Sequence, residues 1–103
     1  MAHYVLDART ATPHFPGIGR YVSNLARALV PYLESDEHLS VLEDPTHRVM
    51  LPERPAVTGV PLPVSPFSLR QQWELPALLR RLGANLYHSP YYQMPYRPGI
   101  PAI

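Results

Sequence analysis

Apolar positions along this chain form two kinds of run, short unbroken ones and longer ones that recur every three or four residues. The first run, His3-Tyr4-Val5-Leu6-Asp7, is brief and rich in β-formers. It predicts a strand buried on both faces, as in a parallel sheet. After a loop from Ala8 to Pro16, positions Ile18, Tyr21, Val22, Leu25, Ala26, Leu29 and Val30 follow helical spacing. Arg20, Ser23, Asn24 and Arg27 occupy the opposite face of that helix. Its start is expected near Gly17 to Gly19, and Pro31 ends the regular pattern, with a last turn reaching Leu33.

Leu39-Ser40-Val41-Leu42 predicts a second strand, at the spacing of a right-handed βαβ unit. Arg48-Val49-Met50-Leu51 is a candidate short third strand. Residues 57 to 64 hold one more, at a sheet edge because Pro61 and Pro63 cannot donate a backbone hydrogen bond. Ser68-Leu69-Arg70-Gln71 has the form of a capping box opening a second helix. Leu69, Trp73, Leu78, Leu79 and Leu82 are expected on its buried side, with Trp73 as a core anchor. Pro76 either kinks that helix or restarts it, and Gly83 suits its C-terminus. Asn85-Leu86-Tyr87-His88 is another strand, and Ile100 to Ile103 begins the next.

The sequence of elements is β, loop, α, β, irregular, α, β, loop, β. The expected fold class is therefore α/β: a partial Rossmann-like parallel sheet with flanking helices. Two loops, residues 8–19 and 89–98, should open on one edge of the sheet, at the carboxyl ends of its strands, where such folds bind ligands.

Composition sharpens this in a few places. Proline makes up 14 of the 103 residues, and twelve of these lie beyond residue 30, so the second half must be rich in loops. Cysteine is absent, which removes disulfides and thiolate metal sites. The five histidines are scattered without metal-ligand spacing, so no metal is expected. A net charge of +1 gives no reason to expect a nucleic-acid partner. No apolar run is long enough to span a bilayer, and the first residues lack the pattern of a signal peptide. The expected location is cytoplasmic.

Three constellations carry candidate chemistry. Gly17-Ile18-Gly19-Arg20 at a helix start can bring bare backbone amides and one cation to a phosphate. Equally, the glycines can serve only a tight turn after Pro16. A dinucleotide fingerprint would want a third glycine where Val22 stands, and a much shorter loop before Gly17. Arg9, Thr10, His14 and Phe15 form a polar and aromatic mixture suited to a polar substrate, or a solvated loop. His88 with Tyr91 and Tyr92 suits stacking against a sugar or nucleotide, or is core packing.

Asp7-Ala8-Arg9, His14 to Tyr21 and Asn24 to Leu29 together resemble the start of group 1 (family 4) glycosyltransferases. Phe67 to Pro76, and Leu86 to Tyr92 with Met94-Pro95, are similar to the same group. The resemblance implies a GT-B enzyme, with two Rossmann-like domains facing across a cleft. Such an enzyme moves a sugar from a nucleoside-diphosphate donor to a glycan or lipid-linked acceptor, with retention and without a cofactor. Carried onto this chain, Gly17, Gly19 and Arg20 face the donor phosphates, and Arg9, His14, Phe15, His88, Tyr91 and Tyr92 line the acceptor side.

By this resemblance residues 1–103 are an incomplete N-terminal domain. The chain stops before the family's histidine-aspartate motif and lacks the donor-binding C-terminal half, so the piece alone is expected to be inactive and to self-associate through uncovered apolar surfaces. The whole protein would associate peripherally with a membrane if its acceptor is lipid-linked. A non-catalytic nucleotide- or glycan-binding module is the alternative.

Overall fold

A computed structural model describes residues 2–12, 16–48, 51–90 and 97–103. Four strands, β1 (His3–Asp7), β2 (His38–Glu43), β3 (Val57–Pro61) and β4 (Leu86–His88), form one sheet in the order β3-β2-β1-β4. Every pairing is parallel. Two helices, α1 (Pro16–Leu29) and α2 (Gln71–Leu82), complete the α/β fold. A single 3-10 turn, Val30–Tyr32, follows α1 where Pro31 interrupts the helical pattern. The sheet order is that of the first four strands of a doubly wound fold.

Strand alternation divides the interior in two. Leu6, Leu39 and Val41 meet Val22 and Ala26 of α1. Val5, Leu42 and Tyr87 meet Leu75, Leu78 and Leu79 of α2 on the other side. The chain moves outward from β1 to β2 and back across the sheet from β3 to β4. Helices on opposite faces are what a single crossover hand then requires. β2 is buried from Leu39 onward, whereas β3 is largely exposed, as its prolines predict for an edge strand. Gly59 leaves room for the Glu43 carboxylate, which a Cβ there would meet at 2.7 Å.

Ala102 bridges Tyr87 in parallel, with Tyr87 N–H donating to the Pro101 carbonyl at 3.0 Å. This is the continuation expected for Ile100 to Ile103. The strand expected at residues 48–51 does not form at Arg48 or Leu51, and Val49 and Met50 lie outside the described residues. In its place Asp44 and His47 close a small antiparallel bridge.

The second helix departs from expectation at its start. It begins at Gln71, with Arg70 as N-cap and no side-chain capping bond. Ser68 Oγ instead donates to the Ser65 carbonyl at 2.7 Å, and Gln71 is buried, accepting from Arg9. A hydrogen bond from a buried cation is worth about 1.5–3 kcal/mol, more than the ~1 kcal/mol of an exposed cap, so the interior takes the glutamine.

This choice also sets the helix face. Gln71, Leu75, Leu78 and Leu79 are buried, and Leu82 packs against them. Trp73 lies roughly 200° around the helix from Gln71 and is 68% exposed, with Leu69 beside it also exposed. The expectation of Trp73 as a core anchor is thus overturned. The helix runs through Pro76 without interruption and ends at Gly83, whose φ of 66° is left-handed. Ala84 N–H closes the end on the Leu79 carbonyl at 3.0 Å. No helix among the described residues is long and apolar enough to cross a membrane.

Replacing Leu79 with alanine should lower the unfolding free energy by about 2–5 kcal/mol in urea titrations. Trp73→Ser should change it by no more than about 0.5 kcal/mol, since little is buried there.

Candidate functional site

The carboxyl ends of β1, β2, β3 and β4 share one edge of the sheet, because all four strands are parallel. Loops 8–12, 44–47, 62–70 and 89–90, with the first turn of α1, therefore gather there. Beneath them lies a buried polar network built on Asp7, the last residue of β1.

Arg9 is two residues on, and it turns its guanidinium back to Asp7. Its Nε donates to Asp7 Oδ1 at 2.9 Å, and its Nη2 to Oδ2 at 2.6 Å. The Arg9 backbone N–H also reaches Oδ1, at 3.1 Å. Tyr87 of β4 donates its hydroxyl to Oδ2 at 2.6 Å. Arg9 Nη1 donates to the Val64 carbonyl at 2.9 Å, and Nη2 also donates to Gln71 Oε1. Arg9 is only 3% exposed and Tyr87 is fully buried. One ion pair thus ties together β1, β4, the segment after β3 and the start of α2.

The electrostatics follow from burial. For Tyr87, desolvation and then the Asp7 charge push the phenol far above its usual range, so it stays a donor. For Arg9, desolvation opposes the charge, but the Asp7 hydrogen bond and charge outweigh it and hold the guanidinium above its ordinary value. Both groups keep a fixed ionisation state across the pH range of a folded protein.

Gly17 and Gly19 stand in the first turn of α1. Neither has a positive φ; among the described residues only Gly83 and Gly99 do. Among the described residues a Cβ at Gly17 would meet nothing within 4 Å, and one at Gly19 would touch only the Ala11 Cβ at 4.0 Å. The turn itself therefore does not demand glycine. Gly17 leaves the helix start bare on its exposed side, with Arg20 also exposed, while Gly19, about 200° around the helix, faces Ala11.

One turn further, Tyr21 Oη lies 3.0 Å from His88 Nε2. His88 Nδ1 lies 3.3 Å from the Ile103 carbonyl, which can only accept. In the neutral ring, Nδ1 therefore carries the proton and Nε2 accepts from Tyr21. His88 thus joins β4 to α1 on the edge that carries the glycine turn. Arg9, expected on the acceptor side, spends its hydrogen bonds inside the protein and only reaches the floor of a neighbouring cleft. His14, Phe15, Tyr91 and Tyr92 lie outside the described residues.

That cleft, of about 550 Å3, lies on the β1-β2-β3 side of the same edge. Loops 9–12, 44–46 and 62–67 form its walls. Asp44 accepts from Thr46 N at 3.0 Å and from Thr46 Oγ1 at 2.8 Å. These bonds, the backbone one foremost, hold its carboxyl below the usual carboxylate range. Sequence reasoning did not single out Asp44, Gln71 or Tyr87 for a site. Asp7 and Arg9 at i, i+2 on a strand end were a readable signal of a same-face pair. Their partners 62 and 80 residues away were not.

Among the described residues no group of three or more histidine, aspartate or glutamate side chains is placed to hold a metal. No family model, no curated protein and no solved structure matches the chain.

Asp7→Asn should destabilise the fold by about 3–5 kcal/mol, because it strands the buried guanidinium. Tyr87→Phe should cost about 1–2 kcal/mol. Denaturant titrations of the two single variants and the double variant should give a non-additive cycle, because both side chains meet at one carboxylate oxygen.

Proposed function

We propose that this chain forms one wall of the active-site cleft of a retaining GT-B glycosyltransferase of the group 1 (family 4) kind. That wall faces a nucleoside-diphosphate sugar. The observation that carries the reading is the first turn of α1 at the carboxyl edge of a parallel sheet, where among the described residues a Cβ at Gly17 would meet nothing within 4 Å and one at Gly19 only the Ala11 Cβ, at 4.0 Å.

A helix start offers unpaired N–H groups and a partial positive charge, and Arg20 adds a full one. A diphosphate is the natural counterpart. A large side chain at Gly19 would occupy the approach without straining the backbone, because its φ is not left-handed. His88, held in one tautomer by Tyr21 and the Ile103 carbonyl, offers a fixed polar group on the same edge. The sequence resemblance at residues 7–9, 14–21, 24–29, 67–76, 86–92 and 94–95 supplies the identity of the donor class and of the transfer reaction.

In this role residues 1–103 bind and orient rather than catalyse alone. The phosphates rest on the α1 amides, and the sugar lies towards His88. A second domain would supply the remaining donor contacts.

Isothermal titration with a nucleoside diphosphate checks this. The unmodified chain should show weak saturable binding, and Gly19→Val should weaken it by about 10-fold, the equivalent of ~1.4 kcal/mol. Equal affinity in a Gly19→Val chain of unchanged unfolding midpoint would sink the phosphate role of this turn.

A further inference from the structure

With Gln71 turned into the protein, the opposite side of α2 carries a mixed set of large and charged side chains. Trp73 is 68% exposed, Leu69 just before the helix is 77% exposed, and Arg80 and Arg81 are exposed as well. At about 100° per residue, Trp73, Glu74, Ala77, Arg80 and Arg81 fall within about 120° of one another, with Ala77 near the middle. An indole held in water beside cations adds nothing to a monomer and is the composition of a contact surface. We propose that this stripe pairs with the same stripe of a second copy of the chain, the two helices antiparallel about a two-fold axis at Ala77. This inference does not rest on the transferase reading.

The order of residues along the stripe is its own complement. A two-fold axis sets each position before Ala77 against one after it, and keeps each flank of the helix against the same flank of its mate. Trp73 and Arg80 lie on one flank, Glu74 and Arg81 on the other. Arg80 of one copy therefore meets the indole of Trp73 in the second copy, and Arg81 meets the carboxylate of Glu74. Each contact occurs twice. Tryptophan is the best aromatic partner for a cation. Alanine at the crossing lets the helix axes approach to about 8 Å.

Glu74 is open to such a partner. Its Oε1 accepts from the exposed Arg70, one turn back, at 2.8 Å. Its Oε2 makes no hydrogen bond among the described residues. Only a surface ion pair of little worth thus holds the carboxyl, which can turn to a second guanidinium. A wholly acidic partner would meet Glu74 with a like charge, and a wholly apolar one would cover both arginines unpaired. A second copy matches both signs. Because α2 and α1 pack on opposite faces of the sheet, pairing leaves the glycine turn open. One helix pair is small beside the ~800 Å2 per partner of a standard interface, so monomer and dimer exchange at micromolar concentrations.

Sedimentation equilibrium of the full chain, from low to several hundred micromolar, tests this. Acrylamide quenching of Trp73, the chain's one tryptophan, reads the contact directly. The average mass should rise towards that of two chains with concentration, and quenching should fall with it. Trp73→Ser, Glu74→Arg and Arg81→Glu should each raise the dissociation constant by about 10-fold or more, with little change in the unfolding midpoint of dilute protein. An equimolar mixture of the Glu74→Arg and Arg81→Glu chains should associate again, because each offers the charge that the other lacks.

Three results would overturn the inference: a chain that stays monomeric throughout, association that Trp73→Ser and the charge variants leave unaltered, or a mixture that associates no better than its components. Gly19→Val should not alter the dimer, so failure of the phosphate reading and failure of this one are separately visible.

Discussion

The carboxylate of Asp7 is the point on which the upper half of this fold depends. It ends the central strand, yet four donor groups from two residues converge on it: the Arg9 backbone, the Arg9 Nε and Nη2 groups, and the Tyr87 hydroxyl. A buried ion pair is weak evidence of net stability, because desolvation costs several kcal/mol per charge. Its value here is positional. The guanidinium has its remaining donors on Val64 and Gln71, which adds to the Leu62 N–H bond to Glu43 and the burial of Leu62 and Val64 in holding the irregular stretch after β3 against loop 9–12.

Much of the architecture was legible because it rests on local pattern. The short apolar run of β1, the helical spacing from Ile18 to Leu29 and the glycine at position 83 each state one structural requirement in a few adjacent residues. Prolines 61 and 63 marked an edge strand for the same reason. The failures share a different cause. Ser68 and Gln71 read as a capping pair, and Trp73 read as a core anchor, because both readings consider only the helix itself. Gln71 is committed to Arg9, and that commitment rotates the buried face to Leu75, Leu78 and Leu79, leaving the large indole outside. A distant buried cation overrode local propensity.

The site shows the same division. The glycine turn was visible in sequence as two glycines at the start of an amphipathic helix, and the parallel sheet sets it at the carboxyl edge of the strands. The structure also narrows what those glycines do, since neither adopts a conformation that other residues avoid. The acidic cleft was not visible, because Thr10, Asp44 and Phe67 belong to three separate loops whose meeting depends on sheet order. One edge thus carries two environments of opposite polarity, with the neutralised Asp7–Arg9 pair between the loops that form them.

The long reach of that pair has a kinetic side. Asp7 meets Tyr87 across 80 residues of sequence, and His3 meets Asn85 across 82. β1 precedes both of its sheet neighbours in the chain, β2 by some thirty residues and β4 by nearly eighty. Parallel pairing at such separations closes large loops before any contact rewards them, which makes for slow folding.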